Sequence, residues 1–385
     1  MKKDRKIISI LFSIEAFMLA VLLIVAFFCT GNFEKSIDGK LEAPKRYGQL
    51  FPNSLYLNYF SSNSAYEPTD SQGVEYNYYT FNLTSEGITS NLFNNKEGLT
   101  SGLASSSLSD AQMMIKAAPN ASNPTILSYG NLYIQNPYLR KNLSLKEVLS
   151  EPLQLKKLGT SNEPTVLIYH THTREAYCVT EADRYNVKAA YNESKDNTKN
   201  VVAAGNEIMH TLLGKNIVTH HDTTVHTEQR INGDWKDCYY FGKQTLSSLL
   251  ETYKEAQLVL DIHRDGVTDP NRDKIRHKTV VTDENGREYA QIMLVVGLNY
   301  NASFVEGDEF NPHWKDNFKL ALLVIEKLEE KVPGISRGIS LRREAYNQNL
   351  AQNTLLVEMG FDGNLVSEVS ASSQLLGEVL AEIYS

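Results

Sequence analysis

The stretch TVLIYHTHTREAY at residues 165–177 carries the strongest signal for the fold. It begins with a continuous apolar run, as expected of a strand that is buried on both faces of a parallel sheet, and it leads directly into two histidines and a glutamate. In α/β sheets, binding sites lie at the carboxyl ends of the strands. His170, His172 and Glu175 are therefore candidate metal ligands or catalytic groups.

Two later stretches place polar side chains in the same way at the ends of predicted strands. QLVLDIHRD at residues 257–265 leads into His263, and TLLVEMGF at residues 354–361 carries Glu358. Histidine and carboxylate side chains at three strand ends are the donor set of a catalytic zinc site with its general base. The sequence therefore predicts a zinc (Zn2+) cofactor.

The candidate ligands of this zinc ion are His170, Glu175 and His263, and the candidate base is Glu358. His170 and His172 would share one face of a regular strand, so their spacing leaves open which of them is the ligand. A turn after His170 is needed to bring Glu175 back towards the metal. A single histidine at a strand end is usually a packing residue, but several histidines and glutamates at successive strand ends favour a site.

Three further residues near these ligands are candidates for binding substrate or supporting the ligands: His172, Arg264 and Asp265. The alternative for the last two is a simple ion pair with each other. Five other histidines lack a comparable sequence context and are interpreted as surface or core residues: His220, His221, His226, His277 and His313.

Strand and helix signals alternate from residue 165 to the end of the sequence. This alternation predicts an α/β fold with a mostly parallel sheet flanked by helices, within a single catalytic domain at residues 161–385. The predicted strands span residues 166–170, 217–221, 258–263 and 354–358, the predicted helices span residues 200–213, 243–256, 314–331 and 365–384, and a hairpin is predicted at residues 278–298.

The N-terminus has the features of a membrane anchor. Basic residues precede an almost entirely apolar run at residues 7–29, which is long enough to cross the roughly 30 Å hydrocarbon layer of a bilayer. The basic flank predicts a cytoplasmic N-terminus, so residues 1–30 would form a single-pass anchor in the cell membrane with the catalytic domain outside the cytoplasm. A cleaved signal peptide is the alternative, but residues typical of a cleavage site are missing. Residues 31–160 are predicted to form a linker and a less regular extracytoplasmic region.

Composition excludes several classes of protein. The formal charge of −8 and the absence of a Lys/Arg-rich block argue against binding to nucleic acid. The three cysteines, Cys29, Cys178 and Cys238, show no CxxC spacing, so neither a thiolate zinc finger nor a disulfide scaffold is indicated.

Several motifs resemble those of the stage II sporulation protein P (SpoIIP) family, the membrane-anchored cell-wall hydrolases of endospore-forming bacteria. They follow the same order and cover the predicted catalytic domain nearly end to end, and the HTHT and DIHRD strings are the most specific. The matching segments are LIYHTHTREAY (167–177), NVVAAG (200–205), DIHRD (261–265), AQIMLVVG (290–297), NPHWKDN (311–317), PGISRG (333–338), YNQNL (346–350) and LVEMG (356–360).

The resemblance implies a zinc-dependent N-acetylmuramoyl-L-alanine amidase with endopeptidase activity on peptidoglycan stem peptides. It also implies a zinc amidase-like fold, whose last strand carries the pattern Leu-x-Glu-x-Gly-Phe with the catalytic glutamate, here Glu358. His170 stands where the first histidine ligand would, although the usual Gly-His-Gly-Gly is absent, and His263 stands where the second would. Glu175 is preferred to His172 as the third ligand.

The partners that the resemblance implies are a SpoIID-like lytic transglycosylase and a SpoIIM-like membrane protein, which act with such hydrolases in septal wall degradation at the engulfing membrane. The substrate would be the stem peptides and glycan strands of peptidoglycan. Two other functions stay open: a catalytically silent peptidoglycan-binding scaffold, and a metal-dependent polysaccharide deacetylase.

Overall fold

The computed structural model of the protein describes residues 75–94, 106–117, 124–130, 132–136, 142–159, 161–187, 192–232, 234–266, 275–298 and 311–385. The predicted anchor at residues 7–29 lies outside these ranges, as does the linker predicted to follow it. Among the helices within them, none has the length and apolar character needed to cross a membrane. The predicted domain limits at residues 30 and 160 stay predictions.

The described residues form strands and helices that alternate over the C-terminal half of the chain. The strands are β1 (Tyr76–Thr84), β2 (Gly87–Phe93), β3 (Met114–Ile115), β4 (Thr125–Tyr129), β5 (Leu132–Asn136), β6 (Leu143–Ser144), β7 (Leu153–Lys156), β8 (Val166–Tyr169), β9 (Thr219–His221), β10 (Gln229–Ile231), β11 (Asp234–Lys236), β12 (Leu258–Asp265), β13 (Val280–Thr282), β14 (Glu288–Ala290), β15 (Ile292–Gly297), β16 (Ser336–Arg342) and β17 (Thr354–Phe361). The α-helices are α1 (Leu145–Val148), α2 (Val201–Leu213), α3 (Cys238–Thr252), α4 (Trp314–Lys331) and α5 (Val366–Tyr384), and a 3-10 helix spans Glu181–Tyr185.

The largest sheet has eight strands in the order β4-β5-β16-β15-β17-β12-β8-β9. The pairs β5–β16, β16–β15, β17–β12, β12–β8 and β8–β9 are parallel. Only β4–β5 and β15–β17 are antiparallel within this sheet. The prediction of a mostly parallel α/β sheet is therefore confirmed.

Helices cover both faces of this sheet. On one face, Leu246 and Leu249 of α3 pack with Leu167, Tyr169 and Val259. On the other face, α2 lies against β8, β9 and β12. Strands covered on both faces bury every side chain, which explains why β8 and β12 read as continuous apolar runs in the sequence.

Two helices begin where a polar side chain caps their first turn. Asn200 accepts a hydrogen bond from the Val202 amide at the start of α2, the helix that the sequence predicted at residues 200–213. Asp237 accepts one from the Tyr240 amide, so α3 begins at Cys238 rather than at residue 243. The earlier start brings an additional turn of helix, with its aromatic side chains, towards the site.

Two details of the sheet differ from the sequence prediction. The second arm of the predicted hairpin is divided, because β14 pairs with β13 whereas β15 enters the large sheet. Strand β16 was not predicted, since the sequence SRGISLR lacks a continuous apolar run. Residues before position 160 also contribute, because β4 and β5 form a hairpin that extends the sheet beyond β16.

Candidate metal centre

The site lies where three neighbouring parallel strands end. Strand β12 is central, with β8 on one side and β17 on the other. His263 of β12 is paired with Glu358 of β17, and Asp261 of β12 is paired with Tyr169 at the end of β8. The residues that follow Tyr169 are thereby brought to the same edge as His263 and Glu358.

Three of the predicted site residues form a compact group of metal-ligand type: His172, Glu175 and His263. One possible ligand atom from each lies within 4.8 Å of those of the other two. Nδ1 of His172 is 3.4 Å from Oε1 of Glu175, and Nδ1 of His263 is 3.4 Å from Oε2 of the same carboxylate. Two imidazoles and one carboxylate converging on one point could hold a metal ion such as zinc.

A turn after β8 brings Glu175 back to the sheet, as the sequence analysis required. The Glu175 amide donates to the carbonyl of His172 at 3.0 Å, which closes the turn. The backbone amide of Arg264 then donates to Oε2 of Glu175 at 3.0 Å. The carboxylate is therefore held against the end of β12, beside His263.

Asp261 supports His263 from within the same strand. Its Oδ1 lies 2.9 Å from Nε2 of His263 and accepts the Thr171 amide at 2.8 Å, while its Oδ2 accepts the Thr171 hydroxyl at 2.6 Å. Metal-binding histidines commonly present their second ring nitrogen to a carboxylate in this way. Sequence reasoning missed Asp261, although the spacing Asp-x-His puts both side chains on one face of the strand.

The charges in this group are strongly coupled. Burial opposes protonation of His263, but the carboxylates of Asp261 and Glu175 raise the pKa of its imidazole well above the ordinary value. Burial would likewise raise the pKa of Glu175, but hydrogen bonding to His172 and His263 lowers it. The carboxylates of Asp261, which is buried, and of Glu175, which is partly buried, create a negative potential next to the histidines. A divalent cation therefore fits the donor set of this site.

Glu358 lies beside this group, and the pKa of its carboxyl is raised. Burial raises the pKa of its carboxyl to about 8; His263 opposes this rise, whereas the charges of Asp265 and Glu175 add to it. Its Oε2 has no hydrogen-bond partner among the described residues. A carboxyl group with a perturbed pKa and an oxygen that accepts no hydrogen bond from the described residues is suited to transferring protons.

The structure does not place His170 in the group of predicted ligands. Its ring is buried, with Nδ1 at 2.9 Å from the carbonyl oxygen of Ile262 and Nε2 at 2.7 Å from Nε2 of His221. Both ring nitrogens are thus engaged with the protein, and His172 occupies the position beside Glu175 that the sequence analysis gave to His170. The physical reason is the turn after β8, which ends the strand periodicity that the two histidines would have shared.

Arg264 and Asp265 have other partners in the structure. The Arg264 side chain donates to the carbonyl oxygens of Ala176 and Asn192, so it ties down the segment that follows Glu175. Asp265 forms an ion pair with Arg337 at 2.7 Å. The alternative of an Arg264–Asp265 side-chain pair is not observed, because Arg264 reaches only the backbone carbonyl of Asp265. A role for either residue in binding substrate stays a prediction.

Two tyrosines that sequence reasoning missed form a wall of the site. The Tyr239 ring lies 5.3 Å from the His172 ring and 6.4 Å from the His263 ring, between ring centroids. Tyr346 packs edge-on against Tyr239 at 5.3 Å, and the Asn347 side chain donates to the Tyr239 carbonyl. Tyr346 and Asn347 both have positive φ, 52° and 59°, a conformation that is uncommon outside glycine and often marks functional segments.

Comparison with known proteins agrees with the sequence motifs. The family model of stage II sporulation protein P (SpoIIP) matches residues 69–381. Stage II sporulation protein P of Bacillus subtilis (strain 168) is 25% identical over 235 residues, which make up 59% of this chain and 53% of that relative. The chain thus matches about half the length of the relative. The resemblance inferred from the motifs is confirmed.

Solved structures with a similar course of the chain include two amidases. N-acetylmuramoyl-L-alanine amidase AmiC2 of Nostoc punctiforme is 13% identical, with a TM-score of 0.32, and the match covers 58% of this chain and 96% of that one. The CwlD amidase from Clostridioides difficile, in complex with the GerS lipoprotein, is 11% identical, with a TM-score of 0.32 and coverage of 57% and 94%. A likeness of this degree leaves the chemistry of the site to its own residues.

Proposed function

Because this chain belongs to the stage II sporulation protein P family, we propose that it is a zinc-dependent peptidoglycan hydrolase that acts in septal wall degradation during sporulation. Its reaction would be that of an N-acetylmuramoyl-L-alanine amidase with additional endopeptidase activity. The observation that carries the proposal is the convergence of His172, Glu175 and His263 beside Glu358, a partly buried residue whose carboxyl has a raised pKa.

The zinc ligands in this proposal are His172, Glu175 and His263. This set replaces His170 by His172, because the ring nitrogens of His170 face Ile262 and His221 instead. A bound zinc ion would supply Lewis-acid activation of water and of the substrate carbonyl. The carboxylate of Asp261 would hold the His263 ring in the orientation in which Nδ1 faces Glu175.

Glu358 is the proposed general base. It would accept a proton from the water that attacks the amide carbon, and it would return that proton to the amine when the carbon–nitrogen bond breaks. Proximity to a divalent cation favours the ionised carboxylate, which offsets the effect of burial on its pKa. The rings of Tyr239 and Tyr346 would limit access of bulk water and orient the substrate beside the histidines.

Membrane anchoring and partners are part of the same proposal. The apolar run at residues 7–29 with its basic flank supports a single-pass anchor that keeps the hydrolase next to the wall. Partners resembling SpoIID and SpoIIM are proposed from the family resemblance alone. Fractionation and protease accessibility test the anchor. A membrane-bound protein that is cleaved only from outside is expected, whereas a shortened soluble protein in the medium would indicate signal cleavage.

The direct test of the function is hydrolysis of purified muropeptides by the zinc-loaded protein. We expect release of stem peptides from the glycan and loss of activity after chelation, with recovery when zinc is restored. Binding to peptidoglycan without any cleavage would indicate a silent scaffold, and release of acetate would indicate a deacetylase. Cleavage that survives complete removal of metal would contradict the proposed use of zinc.

A further inference from the structure

His226 is a buried histidine that lies beside the metal centre but outside the group of proposed ligands. It belongs to the connection between β9 and β10, and its ring lies against the turn that carries His172. Nδ1 is 2.9 Å from the carbonyl oxygen of His170 and 3.3 Å from that of Thr171. Nε2 is 2.9 Å from the hydroxyl oxygen of Thr245 in α3. One side chain thus joins the turn to a helix.

The direction of these hydrogen bonds follows from the partners alone. Both atoms that face Nδ1 are carbonyl oxygens, which only accept, so Nδ1 carries a proton and donates whether the imidazole is neutral or charged. A hydroxyl group can donate or accept, so Thr245 satisfies Nε2 in either state. The contact between His226 and the turn therefore does not depend on the ionisation of any group in the site.

The connection that contains His226 holds the backbone on both sides of His172. Of the two carbonyls that face Nδ1 of His226, the one of Thr171 belongs to the peptide bond that leads directly into His172. On the other side of His172, the hydroxyl of Thr173 donates to the carbonyl oxygen of Thr224 at 2.6 Å. The direction in which the His172 imidazole points is set by this backbone, so it depends on these two contacts.

The helix on the other side of His226 carries the tyrosine that faces His172. The Cys238 thiol at the start of α3 contacts the carbonyl oxygen of His226, with Sγ at 3.7 Å. Tyr239 follows directly, and its ring centroid lies 5.3 Å from that of His172. Both the ring and the backbone of His226 therefore hold the part of α3 that forms a wall of the site.

A glycine lets α3 come this close to the turn. A Cβ atom at Gly242 would lie 3.1 Å from Oγ1 of Thr171, which is closer than side chains ordinarily approach. Glycine weakens the interior of a helix relative to alanine, so its presence in α3 needs a packing reason. The close contact between helix and turn supplies that reason, and the hydrogen bonds of His226 give this contact a fixed direction.

We propose that His226 is a positioning residue for the metal centre. By donating from Nδ1 to the two carbonyls of the turn and contacting α3 through Nε2, it holds the turn and the helix together, so that the His172 ring is aligned with Glu175 and with Tyr239. The consequence for zinc binding rests on the proposed function, whereas the alignment of the two rings needs no metal.

Three substitutions separate the two hydrogen bonds of the ring. His226→Leu removes both. The side-chain nitrogen of asparagine stands where Nδ1 does, so His226→Asn can still donate to the turn, whereas that of glutamine stands where Nε2 does, so His226→Gln reaches only Thr245. Zinc affinity is measured by competition with a chelator. We expect His226→Leu and His226→Gln to weaken zinc binding about tenfold and His226→Asn to stay close to the wild type.

NMR spectra of the metal-free protein test the alignment itself. A nuclear Overhauser effect between the rings of His172 and Tyr239 should be present in the wild type and in His226→Asn, and it should be lost in His226→Leu. The ¹⁵N chemical shifts of wild-type His226 should show a proton on Nδ1.

His220→Leu is the matched control, since it removes a partly buried imidazole whose ring contacts Tyr253 instead. It should leave zinc affinity and the ring contact unchanged. Unaltered zinc affinity in His226→Leu, better zinc binding by His226→Gln than by His226→Asn, or a bare Nδ1 in wild-type His226 would overturn the inference. Melting temperatures of the metal-free proteins show which variants are folded; if His226→Leu is not, the comparison of His226→Asn with His226→Gln decides. A wild-type protein without affinity for zinc would overturn the proposed function instead, and the ring contact would then decide the inference.

Discussion

His263 and Glu358 are direct partners across two parallel strands, at the same register of β12 and β17. Their side chains therefore emerge next to each other at one edge of the sheet. Burial raises the pKa of the Glu358 carboxyl to about 8, and the His263 imidazole opposes this rise. A proposed ligand and a proposed base are thus held at a separation set by the backbone hydrogen bonds of the sheet, which keeps the pair preorganised.

Replacing Glu358 by glutamine should separate catalysis from metal binding. Glutamine keeps the shape of the side chain but cannot accept a proton from the attacking water, so we expect a loss of about 10²–10⁴-fold in the rate of amide cleavage with zinc still bound. Zinc content and muropeptide cleavage are measured on the same preparation. Loss of zinc would make Glu358 a ligand, and near-normal turnover with zinc bound would exclude it from both roles.

Separate replacement of His170 and His172 by alanine should identify which of the two binds zinc. His172→Ala removes a group that faces Glu175, so it should abolish stoichiometric zinc binding. His170→Ala removes only a residue that holds Ile262, so it should weaken zinc binding and still reach full occupancy at saturating zinc. Titration with zinc followed by atomic absorption compares the two variants. The opposite order would restore His170 as the ligand.

Asp261→Asn should weaken the metal centre without disrupting the sheet. Asparagine can still accept the Thr171 amide, but it loses the negative charge that lies 2.9 Å from Nε2 of His263. We expect zinc affinity to fall about 10–100-fold, as is typical when the carboxylate behind a histidine ligand is removed. Chelator competition measures the change, and the melting temperature of the metal-free variant is the control for folding. An affinity equal to that of the wild type would show that Asp261 does not act through His263.

Glu326, which is outside the proposed metal centre, should make stability depend on pH. Burial raises the pKa of this α4 carboxyl, whose Oε1 accepts the Ser90 amide while Oε2 has no partner among the described residues. The carboxyl therefore contributes stability that is fully present below its ordinary pKa of 4.5 and is lost as the pH rises through the raised value. Glu326→Gln keeps the acceptor and cannot ionise.

Urea unfolding of the wild type and of Glu326→Gln across the range from acidic to neutral pH measures this effect. The difference in unfolding free energy should shift in favour of Glu326→Gln as the pH rises, and it should level off on acidification below about pH 4.5. A difference that does not change with pH would mean that Glu326 ionises in the folded protein as it does in the unfolded chain.

The sequence by itself determined which elements carry the site. Strands β8, β12 and β17 are covered on both faces, so each appears as a continuous apolar run followed by polar residues, a local pattern that needs no knowledge of the fold. The motifs likewise indicated the family, and His263 and Glu358 follow from their positions on regular strands. Strand β16 escaped prediction because its sequence, SRGISLR, has no continuous apolar run.

Only the tertiary structure decided how the polar residues divide between the site and its support. The backbone leaves strand geometry after Tyr169, so the period of two no longer applies: His172 joins Glu175, while His170 turns to Ile262 and His221. The contacts of Asp261 with Thr171 and of Tyr239 with His172 join residues far apart in the chain. Spacing along a sequence fixes the direction of a side chain only while the backbone stays regular, and the turn that assembles this site is where that regularity ends.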